Sequence, residues 1–345
     1  MSTVAVVTSS PPFAEGGHLV MARELVRALR EEGHETGLIV TPQNRFGRQG
    51  SAYLAAYLTD VGLAHEEKKV DQVISLRFPG YAVQHPRHVL WLNHRMREYY
   101  DLWGEFSSHL SWKGKIKERA RRFLIHRVDH YLLTRLQRRF VISGTVQTRL
   151  HRYGNIQSDV LYPPPPKRDY RCDRYEPYLF GISRLAPLKR FDLVLRALAE
   201  PLAAGIKCTI AGEGAELERL HRLRGQLGLE HRVALAGRLT DEQMIDHLAK
   251  CRAVIFPPFS EDYGFVTVEA FACNKPVITC VDSGGPAELV RDEENGFVTD
   301  PDPEKLARAM RRLIYDQNLA VRLGETGARD VAKMTWSSAI KKLLL

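Results

Sequence analysis

The 345-residue chain contains no run of eighteen apolar residues, so nothing in it reads as a membrane-spanning helix. Its opening, MSTVAVVTSS, lacks the basic n-region and small-residue cleavage site of a secretory leader, and residues 4–7 read as a first strand instead; a cytoplasmic location is therefore expected. Cysteine is scarce. The five thiols at positions 172, 208, 251, 273 and 280 form an odd set without a C-x-x-C pair, which argues against a disulfide framework and a cysteine zinc site and suggests reduced, mostly buried thiols. H-E-x-x-H is missing too, and no metal site is expected. Asp300-Pro301-Asp302 has the outline of a D-x-D metal motif. Asp302, however, precedes Pro303 and Glu304 at the head of a helical stretch, which is the arrangement of an N-cap with proline at the first helical position.

What is present fits two globular domains. A hydrophobic share of 44% with 26% charged residues supports a buried core, and 345 residues is too long for one ordinary domain. The net charge of +9 favours anionic partners, whether phosphates, nucleic acid or lipid headgroups, without selecting among them. Residues 162–177, YPPPPKRDYRCDRYEP, carry four consecutive prolines that neither a helix nor a central strand tolerates, so the domains are expected to divide there.

In the first half, a strand at 4–8 runs into SSPPFAEGGH, followed by a helical stripe of Leu19, Ala22, Val26 and Leu29 that ends at Gly33, and a strand at 36–40. Residues 88–93, HVLWLN, read as a strand that opens onto His94. From 112 to 127 the chain is basic and amphipathic: Ile116, Ala120, Phe123, Leu124 and Val128 share a stripe, with Lys115, Lys117, Arg119, Arg121 and Arg122 largely outside it. Such a helix either rests on anionic lipid or packs its stripe on its own domain and leaves a solvated basic face. The narrow stripe, with Trp112 as its one flanking aromatic anchor, favours packing. A strand at 140–143 precedes the prolines.

The second half opens with a strand at 178–183, after which Arg184 and Lys189 put two cations at the strand's C-terminal edge, where open α/β sheets bind ligands. A strand at 207–211 ends in Gly212-Glu213-Gly214, a poor dinucleotide fingerprint, and another at 233–236 ends in Gly237-Arg238-Leu239. Next comes a buried strand at 254–256, stopped by Pro257 and Pro258, and then EDYGFVTVE, residues 261–269. Gly264 allows a sharp turn into a helix whose N-terminus suits a polyhydroxylated anion. Glu261 and Glu269 frame that turn. As ionised carboxylates they accept hydrogen bonds from sugar hydroxyls, one serving a pyranose and the other a ribose; the plainer reading is two solvated acids near a helix start.

Glu261 through Glu269, the Gly284-Gly285 turn with Glu288 after it, and Asn295-Gly296 together closely resemble the donor-binding half of glycosyltransferase family 4. The chain departs from it at Cys273-Asn274-Lys275-Pro276, where the family more often has a glycine before the proline. The resemblance implies an α/β chain of GT-B type, two Rossmann-like domains facing each other across a cleft. An acceptor domain would cover 1–161, a linker 162–177, a donor domain 178–330, and a C-terminal helix at 331–345 would cross back toward the first domain. It also implies a retaining, metal-independent transfer of sugar from a nucleotide-diphosphate donor to an acceptor hydroxyl, the departing phosphate taking the acceptor's proton. No cofactor beyond the donor substrate and no nucleic acid are implied. By resemblance, Arg184 and Lys189 hold the diphosphate, His94 stands at a strand end in the cleft, and Gly16 and Gly17 approach the diphosphate. Gly212 and Gly214 lie near the nucleotide and Arg238 and Leu239 near the base. Tyr263, Gly264, Phe265 and Val266 form the donor loop between Glu261, beside the sugar, and Glu269, at the ribose. A nucleotide-sugar epimerase or a noncatalytic nucleotide-sugar binder are the alternatives.

Overall fold

Strands and helices alternate along a computed structural model of the chain, which describes every residue except 12, 14–15 and 44–46. The chain forms two compact units, Met1–Pro166 with Thr335–Leu345, and Lys167–Met334.

In the first unit, β1 (Thr3–Ser10), β2 (Glu35–Pro42), β3 (Gln72–Ser75), β4 (His88–Leu92), β5 (Arg138–Val141) and β6 (Asp159–Val160) form one parallel sheet in the order β2-β1-β3-β4-β5-β6. Its inner strands are buried on both faces, as parallel strands under helices must be, which is why residues of β1 and β4 read as unbroken apolar runs. The terminal helix Trp336–Leu343 belongs to this unit: Gln72 Nε2 donates to the Leu343 carbonyl at 2.6 Å, and Trp336 Nε1 donates to the Pro165 carbonyl at 3.1 Å. Residues 167–174, read from the sequence as part of a linker, lie instead within the second unit, and that unit's first strand starts at Glu176.

The basic helix runs from Trp112 to Thr134, longer than its sequence pattern suggested, and it faces the opposite way. Its inward face carries Glu118, Ile125, Asp129, Leu132 and Leu133, whereas Ile116, Ala120, Phe123, Leu124 and Val128 are exposed. The expectation that this stripe packs on its domain is therefore overturned. The physical reason is the surface beneath the helix, which offers hydroxyls. Asp129, 1% exposed, accepts hydrogen bonds from Tyr81 at 2.5 Å, Tyr100 at 2.6 Å, and Tyr53; Glu118 accepts from Tyr99 at 2.8 Å. A carboxylate has lone pairs for all three tyrosines, and burial beside Asp129 pushes each of their hydroxyl pKa values up, which keeps them donors.

The second unit contains β7 (Glu176–Ile182), β8 (Lys207–Ala211), β9 (Val233–Gly237), β10 (Cys251–Ile255), β11 (Val277–Cys280) and β12 (Gly296–Thr299), all parallel, in the order β12-β11-β10-β7-β8-β9. Leu179, Val194, Ile210, Ile255, Ile278 and Met310 belong to the core where helices pack on this sheet. Asp302 caps the helix Pro303–Tyr315, accepting from the Lys305 amide at 3.0 Å, with Pro303 at the first position. Among the described residues no helix is long and apolar enough to cross a membrane.

The tyrosine cluster gives a stability prediction. Asp129→Ala leaves three buried hydroxyls without their acceptor and should cost about 3 kcal/mol, at roughly 1 kcal/mol per hydrogen bond, whereas Tyr100→Phe should cost about 1 kcal/mol. Urea unfolding checks both. Equal midpoints for the two variants would contradict the assignment.

Candidate active site

The second sheet changes direction at β7, which has β8 on one side and β10 on the other. Connections leaving β7 and β10 therefore diverge, and a crevice opens at their C-terminal ends, the general ligand position of open α/β sheets. Arg184 and Lys189 follow β7, and Glu261 follows β10. By contrast, a large surface crevice of about 800 Å³ lies at the opposite edge, against Glu176, Lys207 and Val233, where β7, β8 and β9 begin. None of the expected site residues lines it.

Glycines let the loops of the C-terminal edge touch. Gly212 has φ +133°, and a Cβ there would lie 1.8 Å from the Ser183 carbonyl oxygen; at Gly214, with φ +154°, it would lie 2.2 Å from that of Leu185. Both positions exclude any side chain. The Gly212-Glu213-Gly214 turn thus lies directly on the loop that bears Arg184, and the Leu185 amide donates to the Glu213 carbonyl at 2.8 Å. The Gly212 amide donates to the Gly237 carbonyl at 2.7 Å, which brings the third turn alongside; beyond it Arg238 is exposed and Leu239 half-buried. Arg184 is exposed as well, and among the described residues no carboxylate pairs with it.

Lys189 and Glu261 form an ion pair, Nζ to Oε2 at 2.6 Å, with the ammonium also 5.4 Å from the centre of the Phe256 ring. Arg190 beside it has another task. Its backbone is left-handed, at φ +52°, a conformation that costs about 1–2 kcal/mol for a non-glycine residue. Its guanidinium offsets that cost by donating to the carbonyls of Pro257 at 2.8 Å and Pro258 at 2.7 Å and by pairing with both carboxylate oxygens of Asp282. It fixes the chain after β10 to the chain after β7. Behind Glu261, the Gly284-Gly285 turn packs backbone to backbone: a Cβ on Gly284, φ +72°, would meet the Glu261 carbonyl oxygen at 2.4 Å.

Gly264, at φ +79°, is the N-cap of the helix Phe265–Ala272 and supplies no capping side chain, so the first-turn amides are left to other acceptors. Tyr263 and Val266 are buried and Phe265 is half-buried. Glu269 lies one turn on, buried, and is not open to solvent as the plainer reading had it. It pairs with Arg168, which also donates to both oxygens of Asp241 at 3.2 Å, and the Tyr170 hydroxyl stands 3.5 Å away. Burial pushes the Glu269 carboxyl above the ordinary carboxylate range, against the pull of the Arg168 cation. Arg168, Tyr170, Arg190 and Asp282 were not found by sequence reasoning; the one hint was the basic run Lys167-Arg168 after the prolines.

His94, Gly16 and Gly17 belong to the first unit. His94 follows β4, is half-buried, and has its Nδ1 2.7 Å from the Arg95 carbonyl beside a small pocket that Tyr100, Asp101 and Arg149 also line. Gly16 is the N-cap of the helix Gly17–Glu31 in extended backbone, φ 175°, where among the described residues a Cβ would meet only the His18 ring. The backbone at Gly16 therefore does not demand glycine. Part of the loop before it lies outside the described residues.

The architecture is that of the GT-B fold, with two Rossmann-like units. Sucrose-phosphate synthase from Thermosynechococcus elongatus superposes with a TM-score of 0.79 at 17% identity, over 99% of this chain and 97% of that one. HepE from Anabaena, solved in complex with UDP-glucose, gives 0.69 at 18% identity, over 98% of each chain. Residues 167–330 match the family model described as glycosyl transferases group 1. Over 169 residues the chain is 31% identical to the D-inositol 3-phosphate glycosyltransferase of Streptomyces bingchenggensis, covering 46% of this chain and 37% of that protein. The chain spans about half or less of the length of the curated relatives it matches first, from 37% to 52%.

The Arg168 pair gives a direct test. Removing one partner of a buried ion pair strands the other, so Arg168→Ala should destabilise the second unit by about 3 kcal/mol. Arg168→Lys should recover only part of this, because an ammonium cannot reach Glu269 and both oxygens of Asp241 together. An unchanged urea midpoint for Arg168→Ala would contradict the pairing.

Proposed function

We propose that the protein is a retaining glycosyltransferase that moves a sugar from a nucleotide-diphosphate donor to an acceptor hydroxyl, the donor being held by the loops that leave β7, β8, β9 and β10. The observation that carries this reading is the Lys189–Glu261 pair at the sheet's point of reversal, inside the stretch that matches the group 1 family model. The UDP-glucose complex of HepE supports this donor class, and the glycosyltransferase activity of the Streptomyces relative supports sugar transfer.

The chemistry follows from charge. As the bond between the anomeric carbon and the phosphate oxygen breaks, negative charge grows on the diphosphate, and Arg184 and Lys189 offset it. Without donor, Lys189 is neutralised by Glu261. An arriving diphosphate shares that ammonium and frees lone pairs on Glu261 for the hydroxyls of the transferred sugar. Glu269 takes the ribose hydroxyls, with Arg168 and Tyr170 sharing or yielding the carboxylate. The acceptor oxygen bonds to the anomeric carbon on the face the phosphate leaves, and the acceptor's proton passes to a departing phosphate oxygen, so configuration is retained without an enzymatic nucleophile. Two fixed cations take the part that a divalent ion plays in other transferases, which makes the reaction metal-independent.

Two outcomes are expected when nucleoside diphosphate released from UDP-, GDP- and TDP-sugars is measured. Lys189→Ala should lower turnover about ten- to hundredfold, the value of a lost charge-assisted contact, while Lys305→Ala, at an exposed ion pair, should not. Equal effects would place the diphosphate elsewhere. Turnover should also persist in EDTA; loss that magnesium or manganese restores would overturn the metal-independent reading.

A further inference from the structure

The helix Trp112–Thr134 is built inside out. Its two acidic residues, Glu118 and Asp129, both face the domain and are consumed there by tyrosine hydroxyls and Arg121, while its largest apolar side chains face away. Trp112 is 68% exposed, Leu124 61%, and Ile116 and Phe123 59% each; Tyr131 and Val128 continue the same face. Exposed single apolar residues are ordinary, but six on one face of one helix form a contiguous patch that marks a contact surface.

The charges around the patch name its partner. Lys113, Lys117, Arg119, Arg127 and Arg135 are all exposed, and the helix has no acid left to pair with them. Three of these cations lie over the patch's own aromatic rings: Lys113 over Trp112, Arg127 over Phe123 and Arg135 over Tyr131. A tryptophan at one end and a tyrosine toward the other, with long cationic stems between them, is the pattern of a helix lying in a membrane interface, where aromatic rings sit at headgroup level and basic stems reach up to phosphates. The helix is roughly 35 Å long, enough to lie along a bilayer surface. The neighbouring helix Gln49–Leu58, joined to it through the Tyr53 hydroxyl on Asp129, adds exposed Leu54, Tyr57 and Leu58.

We infer that the outward face of Trp112–Thr134 is a docking surface for an anionic lipid bilayer, with Phe123, Leu124 and Ile116 entering the interface and Lys113, Lys117, Arg119 and Arg127 meeting lipid phosphates. This rests on the first unit alone and stands whether or not the proposed sugar transfer is correct.

Co-sedimentation of the full chain with vesicles tests it. The wild type should pellet with equimolar phosphatidylcholine and phosphatidylglycerol, stay in the supernatant with phosphatidylcholine alone, and be released by raising salt. Replacing Lys113, Lys117, Arg119 and Arg127 by glutamine should weaken partitioning roughly six-hundredfold, at about fivefold for each of the four cations. Phe123→Ser with Leu124→Ser should also abolish it, even at low salt. Since these positions are exposed, both variants should keep the wild-type unfolding midpoint, and the wild-type salt titration gives a reading that needs no variant. The inference is overturned by failure to bind anionic vesicles, by equal binding to neutral ones, or by binding that neither set of substitutions changes. A dimer in solution that Phe123→Ser dissociates, without vesicle binding, would overturn it in favour of a second copy of the chain.

Discussion

Backbone contact at the C-terminal edge of the second sheet is the constraint on which the candidate site depends. The loops after β7 and β8, and those after β10 and β11, come within van der Waals reach because Gly212, Gly214 and Gly284 have no side chain to hold them apart. Each has a positive φ as well, so alanine there would be strained even if space were made. Arg190 adds the polar counterpart, joining its own loop to those after β10 and β11 through carbonyls and Asp282. Lys189 and Glu261 face each other across the point where the strand order reverses because these contacts hold their loops there.

Electrostatics then sorts the charged groups by task. Arg190 and Arg168 are committed to fixed partners, Asp282 in one case and Asp241 with Glu269 in the other. Among the described residues Lys189 pairs with one carboxylate, Glu261, and Arg184 is exposed with no carboxylate partner. The first unit solves a different problem with the same chemistry: a buried Asp129 collects tyrosine hydroxyls, and the helix that carries it leaves its apolar side outward.

Much of the second unit was legible because β8, β9 and β10 end in punctuation that has a mechanism. Gly212, Gly237, Pro257 and Gly264 mark strand ends and helix starts, and parallel topology then gathers Arg184, Lys189, Glu261 and the helix Phe265–Ala272 on one edge. What was not legible depends on long-range pairing. Nothing near Arg168 in sequence announces Glu269 or Asp241. The short strands β3 and β6, four and two residues long, carry too little pattern to be read and exist through their neighbours. The basic helix misled for a more general reason: amphipathicity says that a helix has two faces, and which face turns inward is decided by what the domain offers beneath it.

Hydrogen exchange with bound nucleotide sugar tests the central claim most directly. With the best ligand from a panel of UDP-, GDP- and TDP-sugars, slowed exchange should appear in residues 183–190, 212–214, 237–239 and 261–269 of the second unit. Protection confined to the crevice at the opposite edge, around Lys207 and Val233, or no protection with any nucleotide sugar, would contradict the account.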